Sequence, residues 1–91
     1  MTEIEYDPAK DALNREKHGF GLAAAAVLLE GPILRQPGHR SRAGEERWLA
    51  VGRIGDQTLT VCYTMRGRIF RIISLRRASR KERETYAKAY P

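Results

Sequence analysis

From residue 47 to residue 77 apolar and polar side chains alternate in short runs separated by glycine-containing turns. The clearest run is 57–65, where Leu59, Val61, Tyr63 and Met65 share one side and Thr58, Thr60, Cys62 and Thr64 the other. A period of two with one apolar side marks a strand that turns a single face to a core. Arg47–Ile54 and Arg68–Leu75 read as strands flanking it through the turns Gly55-Asp56 and Arg66-Gly67, which predicts an antiparallel meander. In the last strand and its continuation, strict alternation sets Ile69, Arg71, Ile73 and Leu75 against Phe70, Ile72, Ser74 and Arg76.

The pattern upstream is helical. Asp7-Pro8 supplies a cap and a first-turn proline, and the helix is expected to run to about Lys17 and stop at His18-Gly19. Leu22–Glu30, rich in alanine and closed by Gly31-Pro32, predicts a second helix packed close against a sheet. Ile33–Arg42 reads as a loop or a short strand. Ser79-Arg80-Lys81-Glu82 matches a capping box and opens a helix through about Tyr90. The expected fold is α+β in a single domain over 1–91. It has two N-terminal helices, an antiparallel meander of three to four strands and a C-terminal helix, with the helices against one sheet face.

Charge sharpens this outline. The chain has 91 residues and a formal net charge of +6. Residues 1–30 sum to −3 and residues 31–91 to +9, and in the second segment twelve Arg stand against two Lys. The guanidinium is a planar fork suited to bidentate phosphate contact and to stacking on bases, so the bias toward Arg favours an anionic partner, nucleic acid first. Cys62 is the single cysteine and has no partner within the chain. That fits a reducing, cytoplasmic setting. The acidic start Met1–Asp7 lacks the apolar stretch of a signal peptide. The longest apolar run, Leu22–Leu29, falls short of the roughly 20 residues a membrane span requires, so no membrane association is expected.

Candidate chemistry follows the arginines. Arg71, flanked by apolar neighbours on its expected face, must pair with an acid, Glu46 or Glu82, or open into a cleft as a phosphate clamp. Arg76 and Arg77, with Arg66, Arg68, Arg80 and Arg83, form a basic band in the sequence. Lys17 and His18 sit where a cation meets the dipole at a helix C-terminus; His18 also has the chemistry of a general acid or base. No cluster has metal-ligand spacing, and neither a cofactor nor a metal is expected. Metal-free work on RNA is chemically sufficient, because the 2′-OH can attack the adjacent phosphorus if the protein orients it and stabilises charge. A non-catalytic nucleic-acid-binding module, or a scaffold in a repressor complex, would use the same arginines.

Five segments, in order, resemble the BrnT toxin family: Tyr6-Asp7-Pro8-Ala9-Lys10; Asn14-Arg15-Glu16-Lys17-His18-Gly19; Gly44 through Arg53; Arg71-Ile72-Ile73-Ser74-Leu75-Arg76-Arg77-Ala78; and Glu82-Arg83 with Tyr86. The resemblance implies a RelE-like ribonuclease fold and the toxin half of a type II toxin–antitoxin pair. It implies that the toxin cleaves RNA and halts translation. The implied partner is a BrnA-like antitoxin with a ribbon-helix-helix region, in a hetero-oligomer that reaches operator DNA only through the antitoxin and represses its own operon. Carried over by position, it points to Lys17, His18, Glu46, Arg71 and Arg76 as the catalytic set, with Arg71 and Arg76 on the phosphate and Lys17, His18 or Glu46 moving protons. Arg47, Arg66, Arg68, Arg77 and Arg80 are the expected RNA contacts. The chain departs from the family at Gly21-Leu22-Ala23-Ala24, where an acidic, Phe-containing helix start is common. It departs again at Leu75, which stands in place of a small residue.

Overall fold

A computed structural model describes residues 2–40 and 44–91. In chain order it contains β1 (Ile4–Glu5), α1 (Pro8–His18), a 3-10 turn (Leu22–Ala24), α2 (Ala25–Glu30), β2 (Leu34–Pro37), β3 (Trp48–Ile54), β4 (Gln57–Arg66), β5 (Ile69–Arg77) and α3 (Arg80–Ala89). The fold is α+β, as the pattern predicts, but the sheet has five strands rather than three or four.

The strands lie in the order β1-β5-β4-β3-β2. β2, β3, β4 and β5 pair antiparallel in succession, whereas β1 joins β5 in parallel, pairing Ile4 with Phe70 and Glu5 with Arg71. The sheet is therefore mixed. The expected segment Ile33–Arg42 contributes β2, and its end at Arg42 lies outside the described residues. Strand ends differ by a residue or two from expectation: β3 starts at Trp48, β4 ends at Arg66, and β5 spans Ile69–Arg77.

Helix α1 is built as its sequence suggests. The Asp7 carboxylate accepts the Ala9 N–H at 2.8 Å, Pro8 opens the first turn, and Gly19, at φ 81°, donates its N–H to the Arg15 carbonyl. The expected second helix is split. Gly21 has no side chain to cap it, so Asp11 reaches across from α1 and accepts the Leu22 N–H at 2.7 Å. The segment enters through a 3-10 turn before α2 forms. Leu22, Ala25 and Leu28 are fully buried on the sheet. Their close approach depends on β3 as well as on small helix residues, since a Cβ at Gly52 would lie 2.8 Å from Leu28 Cγ.

Two cores result. Leu22, Ala25, Leu28, Ala50, Leu59, Val61, Tyr63, Ile72 and Leu75 form the larger one, between α2 and one sheet face. Leu75 is wholly buried there. Val51, Ala78 and Tyr86 form the smaller one with Leu34, beneath α3 on the opposite face. Helices thus cover both faces, not one. Ser79 and Glu82 close the capping box of α3, which stops at Ala89, and the Tyr86 hydroxyl donates to the Pro32 carbonyl at 2.8 Å.

Strand β5 departs most from simple alternation. Cys62 pairs with Ser74 and Tyr63 with Ile72, so Ile73 is an extra residue with no Cα partner: a β-bulge. The extra residue reverses the side-chain phase. Phe70, Ile72 and Leu75 lie on the face of the larger core, and Phe70 packs its ring 5.0 Å from that of Tyr63. Arg71, Ser74 and Arg76, paired with Thr64, Cys62 and Thr60, share the opposite face. The expected grouping of Arg71 with Ile73 and Leu75 is corrected by this single residue.

Candidate functional site

Rows of side chains across β3, β4 and β5 define the face opposite the larger core. One row is Val51, Thr60 and Arg76, which α3 covers through Glu82. The next is Leu49, Cys62 and Ser74, and beyond it lie Thr64 and Arg71. Arg47 stands one residue before β3, at this end of the sheet. Its Nε is buried with no hydrogen-bond partner among the described residues. The result is a polar, cationic surface on rigid strands, open beside the end that α3 closes.

Two arginines predicted to act together are held differently. Arg76 forms a two-pronged pair with Glu82, Nη1 to Oε1 at 2.8 Å and Nη2 to Oε2 at 3.1 Å, and also donates to the Arg77 carbonyl. Glu82 Oε1 further accepts the Ser79 N–H at 2.7 Å and the Thr60 hydroxyl at 3.0 Å. Hydrogen bonds from Arg76, aided by those from Ser79 and Thr60 and opposed by burial, hold the Glu82 carboxyl at about 2 against an ordinary 4.5. The same contact raises the Arg76 guanidinium. This fork is occupied.

Arg71 is held loosely. Its Nη1 is 3.8 Å from Glu5 Oε1, too long for a hydrogen bond, and its side chain is 29% exposed. The acid beside it is therefore Glu5, delivered by β1, rather than Glu46 or Glu82. Arg66 stands 3.9 Å from Glu5 and 3.8 Å from Glu45, so two guanidiniums and two carboxylates share the rim. Glu46 turns its exposed carboxylate to Arg40 at 3.2 Å, while its backbone carbonyl accepts the Thr64 hydroxyl at 2.7 Å.

Lys17 and His18 lie in the last turn of α1, beside the far edge of β5. Asn14 fixes that contact. Its Nδ2 donates to the Phe20 and Leu75 carbonyls at 2.8 and 2.9 Å, and its Oδ1 accepts the Leu75 N–H at 3.1 Å. A groove runs along this seam, lined by Lys10, Leu13, Lys17, His18, Ile73 and Ser74 among others. Ser74 belongs both to the groove and to the face that carries Arg71.

The remaining basic residues do not gather into one band. Arg77 falls on the side of Leu59 and shares a cleft with Asp56, Gln57, Thr58 and Arg83. Arg80 is exposed on α3 and pairs with Glu84 at 3.1 Å. Arg68 is exposed beside the β4–β5 turn. Sequence reasoning missed Glu5, which sits in a strand of two residues with no alternation to read, and Lys10. The helical spacing of Lys10, Leu13, Asn14 and Lys17 was the available signal for Lys10. At the centre of the face, burial pushes the Cys62 thiol up, and the positive charges of Arg47, Arg76 and Lys10 oppose that shift. Among the described residues no three His, Cys, Asp or Glu side chains gather where they could hold a metal, and no helix is long and apolar enough to cross a membrane.

Comparison with known proteins adds one match. The family described as the ribonuclease toxin BrnT of type II toxin–antitoxin systems has a sequence model that matches residues 6–82. No curated protein matches the chain.

Proposed function

The chain belongs to the BrnT family of type II toxin–antitoxin ribonuclease toxins, and from that premise we propose that it cleaves RNA without a metal ion at the sheet face carrying Arg71. The observation that carries the reading is the loose hold on that residue. A guanidinium 3.8 Å from its only described carboxylate partner keeps its donors available for a phosphate, on a strand that fixes its position. Thr64 and Ser74 flank it on the same face.

The reaction requires no group the chain lacks. The 2′-oxygen attacks the adjacent phosphorus as its proton passes to a base. The bond from phosphorus to the 5′-oxygen breaks, and that oxygen takes a proton. The products are a 2′,3′-cyclic phosphate and a 5′-hydroxyl. Arg71 stabilises charge on the phosphoryl oxygens. Arg76, its fork held and its charge balanced by Glu82, reaches the phosphate only by exchanging that partner, and Arg47, Arg66 and Arg68 extend the cationic surface along which the strand lies. Lys17 and His18 in the α1 seam, or Glu46 at the rim, move the protons. Arg77 and Arg80 contact RNA more remotely, at the flanks.

Cleavage of this kind halts translation in the cytoplasm. The antitoxin counterpart is a BrnA-like ribbon-helix-helix protein that neutralises the toxin and carries the complex to operator DNA. The test is purified protein with RNA in the presence of a chelator, wild type against Arg71→Ala. Cyclic-phosphate ends from the wild type, and a loss of about 100-fold or more in rate for the variant, are expected. Binding without cleavage by the wild type would reduce the site to a nucleic-acid-binding surface.

A further inference from the structure

The groove between α1 and β5 extends the open face, and Lys10 and Leu13 in its wall have no part in the cleavage step. It measures about 710 Å³ and meets that face at Ser74. Its helix wall presents Lys10 and Lys17, with His18 at the end and Glu16 as the opposing charge. Between the two lysines stands Leu13, 64% exposed on a helix whose other outward side chains are mostly charged. Across from it lies Ile73, the residue that the β-bulge leaves without a cross-strand partner.

We infer that this groove is a second subsite for single-stranded RNA, seating the nucleotides next to the one that is cut. Lys10 contacts a phosphate beside the one that is cut, and Leu13 with Ile73 offers an apolar support for one unstacked base. The inference rests on the reading of the Arg71 face as an RNA-cleaving site, from which the strand continues past Ser74. Single strands present splayed bases that pack on apolar or aromatic side chains, while the backbone follows positive charge. The volume lies in the range of small-ligand pockets. Positive charge beside a single apolar support fits the backbone and one base of a single strand.

The experiment uses the full chain and a short single-stranded oligonucleotide carrying 2′-O-methyl groups throughout, which binds but cannot be cut. Affinity is measured by fluorescence anisotropy over a series of salt concentrations. Lys10→Gln should flatten the slope of log affinity against log salt by about 0.7, the share of one phosphate contact on a single strand. Leu13→Ala should weaken binding about threefold to tenfold and leave that slope unchanged. Both side chains are exposed, so both variants should melt as the wild type does. Variants that bind the oligonucleotide as the wild type does overturn the subsite. If they also lose the co-expressed antitoxin, the groove belongs to the protein partner. A wild-type protein that neither binds nor cuts RNA overturns the cleavage reading itself, a different result from an active wild type with indifferent variants.

Discussion

Glu82→Gln isolates one charge in the network that closes the covered end of the sheet. Residue 82 is the third position of α3, where a Gln amide oxygen accepts the Ser79 N–H as a carboxylate does, so the capping box survives. What disappears is the ion pair with Arg76. The carboxyl is held at about 2 instead of 4.5, and at 1.36 kcal/mol per pH unit that shift bounds the coupling at about 3 kcal/mol. The Arg76 side chain is 35% exposed, and solvent screening brings the expected loss at neutral pH to about 2 kcal/mol. Because folding lowers this pKa, the unfolded chain takes up the proton first as the solution is acidified. The stabilisation is therefore complete above pH 4.5 and fades as pH falls toward about 2. Thermal and urea denaturation of both proteins would read it. At pH 7 the variant should melt about 8–16 °C lower, for a domain of this size, and the gap should close on the acid side. Equal stability at pH 7, or a gap that persists unchanged to about pH 2, would refute the reasoning.

Two further substitutions probe how α1 and α2 are seated. Asn14→Ala removes the side chain that satisfies both the N–H and the carbonyl of Leu75 and the carbonyl of Phe20; stranding these partly buried groups should cost about 3 kcal/mol in urea unfolding. A loss under about 1 kcal/mol would mean that water replaces the amide. Gly52→Ala places a methyl 2.8 Å from Leu28 Cγ, which is fully buried, and should cost about 1–3 kcal/mol by overpacking. An unchanged midpoint would show that α2 can shift outward at no cost.

The parts of the fold legible in the sequence were those carried by local rules. Asp7-Pro8 and Gly19 mark the ends of α1, Ser79 and Glu82 mark the start of α3, and the turns at Gly55 and Gly67 set the meander. Three features were not legible because each depends on contacts distant in sequence. Strand β1 exists only because β5 offers it a partner. The 3-10 entry to α2 depends on Asp11, eleven residues before the N–H it accepts. The bulge at Ile73 breaks an alternation that the residues themselves present as regular. For the site, the arginine-rich run in β5 drew notice to Arg71 and Arg76, but chain order could not show that Arg76 is spoken for by Glu82 while Arg71 is nearly free of Glu5.

The parallel pairing of β1 with β5 also governs the order of assembly. Ile4 and Glu5 meet Phe70 and Arg71, and Asn14 meets Leu75 across 61 positions of chain. During synthesis the first segment leaves the ribosome early and then has nothing to dock on until residues 69–77 emerge. Closure over such a span is entropically slow relative to the hairpins β3–β4 and β4–β5. Most of the chain's arginines are added in the second half of synthesis, onto a sheet that is still unfinished. The position of Arg71 beside Glu5 is therefore set late, when the strand that carries it receives its edge.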